Sequence, residues 1–350
     1  MKKRVSLRSI FPLLVITLTL TAVSCEKPIV PPVCPGDPSC PNPDPVCPGD
    51  PSCNDGSDKT REEVFDELYE ELSSEHIYKR SYSEWKWLDL LDRDWELSPV
   101  NPLLDIPEEG KWQTTNIWMR PLYTASPIFI TTGVNSGQQY KYIDSDDVER
   151  TGNFGGGVQF DREHVFPKSF GFNDNEGYAG YKAGTDLHNL HMGESRNNQN
   201  GHNNYFFGDV PNKNTSTKIT DAFTSTITGW TGSRNGKNVY EPKAEDKGDI
   251  ARTIFYMAVR YYKFDETTSR TEPALTLTND TAKYVSATQS TISSKNAPIA
   301  YGYLDDLLRW NAEDPVDDFE IRRNELVKIV QGNRNPFVED DTLAEFLFGK

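Results

Sequence analysis

The sequence predicts an α+β domain in which helices make up most of the fold and surround a small β element. Apolar residues recur at helical spacing in residues 61–75 and again in residues 250–261. Between them, residues 95–160 carry short apolar and aromatic runs separated by Gly, Pro and Asn, a pattern typical of short strands and turns. With 350 residues, 36% of them hydrophobic, the chain is long enough to bury a sizeable core.

Four helices are predicted from apolar stripes and from residues typical of helix ends. Asp is a favoured N-cap, and Gly commonly ends a helix because it adopts a left-handed conformation without strain. The predicted helices cover residues 61–75, the region around residues 85–92, residues 250–261, and a segment that begins at Asp317 or Asp318 and ends at Gly332.

Residues 1–24 are predicted to be a secretory signal peptide. A basic start at residues 1–4 precedes an apolar run at residues 10–20, and small residues follow. The run is too short to cross a bilayer comfortably. Because Cys25 directly follows Ala22-Val23-Ser24, the segment resembles a bacterial lipobox, which predicts an acylated Cys25. The alternative is ordinary cleavage beside an unmodified thiol.

An acylated Cys25 would hold the exported protein at the cell envelope without spanning it. The outer membrane is the expected location, with the protein facing either the periplasm or the exterior. The sequence does not decide between these two faces.

Residues 25–59 are predicted to form a Pro-rich tether, with the catalytic domain following at residues 60–350. All 5 cysteines lie in the first 53 residues, and the motif at residues 33–40 recurs at residues 46–53. No apolar core is available there, which favours a tether over a metal-binding or redox tract. The four tether cysteines allow three disulfide pairings, and the sequence does not select one.

The charge of the chain argues against a polyanionic partner, although its distribution weakens that objection. The formal net charge is −16, whereas nucleic-acid-binding domains are usually basic over their contact surface. Residues 61–110 hold 15 acidic and 5 basic residues, but residues 159–240 hold 8 of each. A divalent cation would make the local charge of this second region more positive.

The residues with catalytic potential are concentrated between residues 161 and 205. Four of the 5 histidines lie there. The first cluster contains Glu163 and His164, and the second contains His188 and His191. An Asn-rich stretch that includes His202 follows. No Ser-nucleophile motif is nearby, so the combination of His, Asn and carboxylates favours a hydrolytic site with a hard metal ion.

Mg²⁺ is the predicted cofactor, with Ca²⁺ or Mn²⁺ as alternatives, because carboxylate and amide oxygens suit these ions. Zinc is less well supported. The predicted domain contains no Cys ligand and no His-Glu-x-x-His helix.

Several ordered motifs resemble the bacterial endonuclease I family. They are Arg-Glu-His-Val-Phe-Pro-Lys-Ser at 162–169, Asp-Leu-His-Asn-Leu-His at 186–191, the Asn-rich stretch ending in Asn-Tyr-Phe-Phe-Gly at 204–208, and Gln-Gly-Asn-Arg-Asn-Pro-Phe at 331–337. With further matches around residues 247–257 and 310–324, the resemblance covers roughly residues 80–340. It implies a secreted or periplasmic nuclease with a ββα-metal (His-Me finger) core inside helices.

The resemblance also implies roles for individual residues. Glu163 would be a metal ligand, and His164 would be the general base that takes a proton from the attacking water. A second ligand would be an Asn on the following helix. Counting forward from the second cluster gives Asn198, with Asn197 as the alternative. Counting back from the Asn-Tyr pair gives Gln199, so the chain carries one extra residue in this stretch.

The chain departs from the family pattern at three places. It lacks a Pro near Met192, an Arg near His202 and an evident phosphate-holding Arg between the two clusters. Lys168, Lys182 or Arg196 are possible substitutes. The predicted substrate or phosphate contacts are Arg162, Lys168, His188, His191 and Arg196.

Several of these residues have a competing structural interpretation. His188 is favoured as a structural residue of the second strand over a ligand. For His191 and His202, surface polar groups and substrate contacts remain equal alternatives. Phosphate contacts and carboxylate pairs, such as one with Glu320, both remain open for Arg252, Arg323 and Arg334.

The predicted function is metal-dependent hydrolysis of DNA, with RNA as a second candidate substrate, with little sequence preference and a 5′-phosphate product. Contacts made mainly to phosphates carry no sequence information. The first alternative is a surface lipoprotein that binds nucleic acid but has weakened catalysis. The second is a phosphodiesterase for small nucleotides. No protein partner is evident, and the lipid anchor implies a membrane partner.

Overall fold

A computed structural model describes the chain in ten segments that lie between Lys59 and Lys350. The described residues are 59–76, 86–94, 117–133, 139–143, 149–154, 159–170, 182–221, 224–263, 274–284 and 298–350. The predicted signal peptide, Cys25 and nearly all of the predicted tether lie outside these residues. The side chain of Lys182 is also outside them.

The described residues combine helices with three sheets. The helices are α1 (Arg61–Glu75), α2 (Lys86–Leu91), α3 (Lys182–Thr185), α4 (Lys247–Arg260), α5 (Leu304–Glu313), α6 (Asp318–Gln331), α7 (Pro336–Glu339) and α8 (Leu343–Phe348). The strands are β1 (Ile117–Met119), β2 (Ile128–Gly133), β3 (Gln139–Ile143), β4 (Glu149–Phe154), β5 (Gln159–His164), β6 (Leu190–Glu194), β7 (Phe206–Phe207), β8 (Thr217–Thr220), β9 (Ile227–Arg234), β10 (Lys237–Pro242), β11 (Leu275–Leu277) and β12 (Ile299–Tyr301). Within this part of the chain, no helix is long and apolar enough to cross a membrane.

The sheets confirm the α+β class and make the β part more extensive than the sequence predicts. One sheet has the order β1-β2-β3-β4-β5-β6, the second β7-β10-β9-β8, and the third pairs β11 with β12. Most neighbouring strands are antiparallel, whereas β4 pairs with β5, β7 with β10, and β11 with β12 in parallel. Many of these strands have three to six residues, which gives each of them a weak periodicity signal.

The four predicted helices are confirmed as α1, α2, α4 and α6. At the start of α1, Thr60 and Glu63 form a reciprocal capping box. At the start of α6, the Asp317 side chain accepts a hydrogen bond from the Glu320 amide, and Gly332 ends the helix with a φ of 117°. This positive φ explains why Gly occupies the position.

Helix α4 lies at the centre of the main hydrophobic core. Almost all of its residues are buried, and it packs against α1, α5 and α7. Aromatic rings fill much of the surrounding space, and Trp310, Tyr240 and Tyr301 are completely buried. The core thereby supports the strands that carry the first and second histidine clusters.

His188 is a buried structural residue, as the favoured interpretation has it, but it lies in the turn before β6 and not in the strand itself. Its Nε2 donates to the Asn333 carbonyl oxygen over 3.1 Å, and its ring lies 4.5 Å from that of Tyr256. Burial lowers the pKa of His188 to about 4, although the Asp186 charge acts in the opposite direction.

This shift predicts that acid destabilises the fold through His188. The unfolded chain binds a proton below pH ~6.5, while folded His188 stays neutral down to about pH 4. Its contribution is complete above pH ~6.5 and is lost as the pH falls towards 4, by up to about 3 kcal/mol. Urea unfolding at pH 7, 5.5 and 4.5 gives the free energy of unfolding of wild type and His188→Gln as a function of pH. This free energy should fall more steeply with acid in wild type than in the variant. Equal slopes for the two proteins would contradict it.

Candidate active site

The two motif clusters form an antiparallel strand pair followed by a helix. Strand β5 pairs with β6 in a register that places Glu163 opposite His191 and His164 opposite Leu190. Residues 197–202 then form a helical segment directly after β6. This arrangement of two strands and a helix brings the residues around positions 163, 191 and 202 together.

Glu163 is almost completely buried, with 2% of its surface exposed. Its Oε1 accepts a hydrogen bond from the Tyr123 hydroxyl over 2.7 Å and faces Nδ1 of His202 over 2.6 Å. Within the described residues, no hydrogen bond reaches Oε2. One oxygen of the carboxylate is therefore fixed, while the other retains its lone pairs.

His164 is held by the main chain. Its Nε2 lies 2.8 Å from the Gly184 carbonyl oxygen, and because a carbonyl only accepts, Nε2 carries the hydrogen. Nδ1 then holds the lone pair. Burial is the main cause that lowers the pKa of His164 to about 3; the hydrogen bond to Gly184 opposes it, and the positive charges of Lys168 and Arg162 add to it. The imidazole is thus neutral at neutral pH, with two basic side chains close enough to affect it.

Asn197 and Asn198 occupy different environments. Asn197 is completely buried, and its Oδ1 accepts from both Thr228 Oγ1 and the Tyr240 hydroxyl over 3.1 and 3.0 Å. Its Nδ2 donates to Glu194 over 2.7 Å. Asn198 is only partly buried. The Asn197 amide is therefore engaged in structural hydrogen bonds, which leaves Asn198 as the better candidate for an external ligand.

The extra residue in the Asn-rich stretch has a structural counterpart. Residues 197–202 form a π-helix, in which the Asn203 amide donates to the Asn198 carbonyl over 2.6 Å. A π-turn accommodates one residue more than an α-turn, and such turns are frequent at functional sites. Counting forward from the second cluster gives Asn198 and counting back from the Asn-Tyr pair gives Gln199. The two results differ by one residue, which is the extra residue that the π-turn accommodates.

His202 is a central member of the site, and its interpretation as a surface polar group is wrong. The residue has no exposed surface, and its ring stacks on that of Phe207 at 4.0 Å. The family pattern places an Arg near this position. A His here reaches the Glu163 carboxylate through Nδ1.

His191 is also buried, so its interpretation as a surface polar group is wrong too. Its Nδ1 lies 3.7 Å from Asp92, and the residue lines a cavity of about 480 Å³. Glu163 and His164 do not line this cavity. The sequence did not indicate the burial of His191.

The three C-terminal arginines form carboxylate pairs, which was one of the two predicted alternatives. Their partners are Glu320 for Arg252, Asp92 for Arg323, and Glu325 for Arg334. Arg196 is exposed and its guanidinium lies 3.4 Å from Thr220 Oγ1. Among the predicted phosphate contacts, Lys168 and Arg162 are the basic residues whose charges act on His164.

Sequence reasoning missed Tyr123, which contacts Glu163 directly. The residue is completely buried and has a φ of 68°. It precedes Glu163 by 40 residues, so no local spacing connects them. A bulky residue rarely adopts a positive φ, but this conformation cannot be read from the sequence.

The oxygen donors of Glu163 and Asn198 are of the chemical type that a hard divalent cation prefers. Oε2 of Glu163 and the side chain of Asn198 supply the carboxylate and amide oxygens that such ions prefer. Within the described residues, no group of three or more His, Cys, Asp or Glu side chains could hold a metal ion. An ion bound here would keep most of its coordination positions for water and substrate oxygens.

Comparison with known proteins places these features in a family. The sequence profile of the Endonuclease I family matches residues 67–342. An extracellular ribonuclease of Bacillus subtilis (strain 168) is 34% identical over 194 residues, which cover 55% of each chain. An extracellular ribonuclease of Bacillus amyloliquefaciens is 35% identical over 193 residues, again 55% of each. The chain thus spans about half the length of these curated relatives. Because the family profile matches most of the chain, the protein belongs to the Endonuclease I family.

Proposed function

We propose that this protein is a metal-dependent endonuclease that hydrolyses phosphodiester bonds in nucleic acids. The observation that carries the proposal is the pairing of a neutral His164, held at Nε2 by Gly184, with a Glu163 carboxylate fixed through one oxygen. Membership of the Endonuclease I family supports the same reaction. Residues 60–350 would form the catalytic domain.

His164 acts in this proposal as the general base. The hydrogen bond to Gly184 fixes the tautomer, so Nδ1 accepts the proton of the attacking water. A phosphodiester anion beside the ring favours the protonated form and raises the pKa of the imidazole from its low value in the free protein. Lys168 and Arg162, whose positive charges act on His164, are the proposed phosphate-binding residues.

Glu163 and Asn198 are the proposed ligands of a divalent ion, for which Mg²⁺ is the first candidate and Ca²⁺ or Mn²⁺ the alternatives. The bound ion supplies positive charge that stabilises the phosphate and the leaving oxygen. Tyr123 and His202 hold Glu163 from the interior.

The proposed substrates are both DNA and RNA, cut with little sequence preference and with a 5′-phosphate left on the product. Both Bacillus relatives are named extracellular ribonucleases, which supports RNA as a substrate. Contacts of Lys168 and Arg162 to phosphates would not distinguish one sequence from another.

Digestion of plasmid DNA and of single-stranded RNA by the purified protein tests the function. Cleavage is expected with Mg²⁺, and it should stop with EDTA and with Glu163→Gln. A chromogenic diester added in parallel reports activity on small nucleotides. A folded wild-type protein that cuts neither polymer with any of the three metals would sink the proposal.

Substitution of the two asparagines is expected to separate a ligand from a structural residue. Asn198→Ala should raise the Mg²⁺ concentration needed for half-maximal activity by at least about tenfold with unchanged thermal stability. Asn197→Ala should instead lower stability by about 1–3 kcal/mol, because Glu194, Thr228 and Tyr240 lose a buried partner. Metal titrations of cleavage and urea unfolding of both variants measure the Mg²⁺ requirement and the stability. A raised Mg²⁺ requirement in Asn197→Ala and lowered stability in Asn198→Ala would assign the ligand to Asn197.

We further propose export to the cell envelope, with residues 1–24 removed, Cys25 acylated and residues 25–59 acting as a tether. The extracellular Bacillus relatives support export. Mass spectrometry of the mature N-terminus, beside Cys25→Ala, tests the anchor. An unmodified Cys25 on the processed protein would contradict it.

A further inference from the structure

The Glu163 carboxylate is held asymmetrically by two side chains from distant parts of the chain. Tyr123 approaches Oε1 from the segment before β2, and His202 approaches the same oxygen from the π-helix. Both hydrogen-bonding groups lie in the interior, since both residues have no exposed surface. Two donors on one oxygen restrict rotation of the carboxylate and leave the second oxygen for another partner.

The backbone of Tyr123 is held in an unusual conformation. Its φ of 68° lies in the left-handed region, which costs a non-Gly residue on the order of 1–3 kcal/mol. The surrounding structure fixes it from two sides. The Tyr123 amide donates to Asp246 Oδ2 over 3.0 Å, and its ring meets the Tyr240 ring edge-on at 5.5 Å. The strained backbone therefore directs the hydroxyl group at Glu163.

The neighbouring strand leaves little space for Glu163 to move. A Cβ atom at Gly193 would lie 2.9 Å from the Glu163 Cβ and 3.8 Å from the Tyr123 ring. On the other side, the His202 ring is fixed by its stack on Phe207. The aliphatic part of Glu163 is thus held by close packing, and its Oε1 is held by hydrogen bonds.

We infer that Tyr123 is a positioning residue which, together with His202, holds Oε1 of Glu163 so that Oε2 alone is presented to the divalent ion. The inference rests on the proposed function, because it assumes that Glu163 is a metal ligand. Tyr123 acts through Glu163 and does not contact the metal. Hydrogen-bonded partners of this kind orient a ligand, and their loss typically weakens metal binding or activity by about 10–100-fold.

Tyr123→Phe is the most direct test because it removes only the hydroxyl oxygen. Mn²⁺ binding is measured by calorimetry in the absence of substrate, alongside the Mn²⁺ dependence of cleavage. We expect the Mn²⁺ dissociation constant to rise about 10–100-fold. Saturating Mn²⁺ should restore most of the cleavage rate. A purely structural role for the hydroxyl would lower stability without changing metal affinity.

Tyr301→Phe is the matched control. Its hydroxyl is also buried, donates to the Tyr205 carbonyl oxygen and accepts from the Phe207 amide, without contacting Glu163. Its loss should reduce stability and leave the Mn²⁺ dissociation constant unchanged. An equal effect of Tyr301→Phe and Tyr123→Phe on Mn²⁺ affinity would overturn the inference.

His202 supplies a second test that does not depend on the folding of Tyr123→Phe. His202→Asn keeps an N–H donor near the position of Nδ1, whereas His202→Leu removes it. Mn²⁺ affinity should fall in the order wild type, His202→Asn, His202→Leu. If the wild-type protein cleaves nucleic acid and the folded variants bind Mn²⁺ as tightly as it does, the inference about Tyr123 and His202 is refuted while the proposed function stands. A wild-type protein that neither binds Mn²⁺ nor cleaves would refute the proposed function as well.

Discussion

Replacement of His164 by alanine is expected to lower kcat for nucleic-acid cleavage by about 10²–10⁴-fold, the usual contribution of a general base. The reason is that Nδ1 of His164 is the proposed acceptor for the water proton, and alanine provides no acceptor. Metal binding should persist because Glu163 keeps both hydrogen bonds from Tyr123 and His202. The measurements are single-turnover cleavage rates and Mn²⁺ affinity for wild type and variant.

The matched control is His188→Gln, which changes a buried histidine of the neighbouring cluster. Its amide can still donate to the Asn333 carbonyl oxygen that His188 contacts. At neutral pH, kcat should therefore remain near the wild-type value. If folded His164→Ala retained the wild-type rate, the general-base assignment would be wrong. The surface lipoprotein that binds nucleic acid but has weakened catalysis would then become the better hypothesis.

The strand pair and the helix after it were implied by the resemblance to the endonuclease I family, whose motifs lie within about forty positions of each other in this chain. The Glu163-His164 pair and the second cluster are separated by a short segment, and β5 and β6 pair directly. The counting also indicated one extra residue in the Asn-rich stretch, but only the structure shows that this stretch forms a π-helix at residues 197–202. The direct pairing of β5 and β6 agrees with the rule that consecutive elements are usually neighbours in space.

The partners of these residues could not be predicted, because they come from remote or uninformative positions. Tyr123 precedes Glu163 by 40 residues and looks like any core aromatic residue. The partner of His164 is the carbonyl oxygen of Gly184, a group that every residue possesses. His202 lies near a position where the family pattern has an Arg, and its stack against Phe207 could not be read from the sequence.

The roles of the C-terminal arginines also could not be predicted from the sequence. From the sequence, Arg252 was equally compatible with a phosphate contact and with a carboxylate pair. The choice depends on burial, and Arg252 is completely buried between α4, α5 and α6. A charge without solvent access cannot reach a polymer substrate, so its role is structural.

Replacement of Arg252 by alanine should destabilise the protein by about 3–5 kcal/mol, because it leaves a buried carboxylate without its partner. The guanidinium Nε donates to Glu320 over 2.8 Å, and a second nitrogen donates to the other oxygen of the same carboxylate. A third donates to the Asp314 carbonyl oxygen and the Asn311 side chain over 2.8 and 3.3 Å. Urea unfolding at pH 7 measures the loss.

Arg334→Ala separates the effect of burial from that of the ion pair itself. Arg334 also forms a two-pronged pair, with Glu325, but 35% of its side chain and 53% of its partner's are exposed. Exposed pairs contribute only about 0–1 kcal/mol, so Arg334→Ala should be nearly neutral. If the two variants lost equal stability, burial would not explain the role of Arg252.

A double variant, Arg252→Met with Glu320→Leu, should recover much of the stability that Arg252→Ala loses, because it removes the unpaired Glu320 carboxylate and keeps apolar packing.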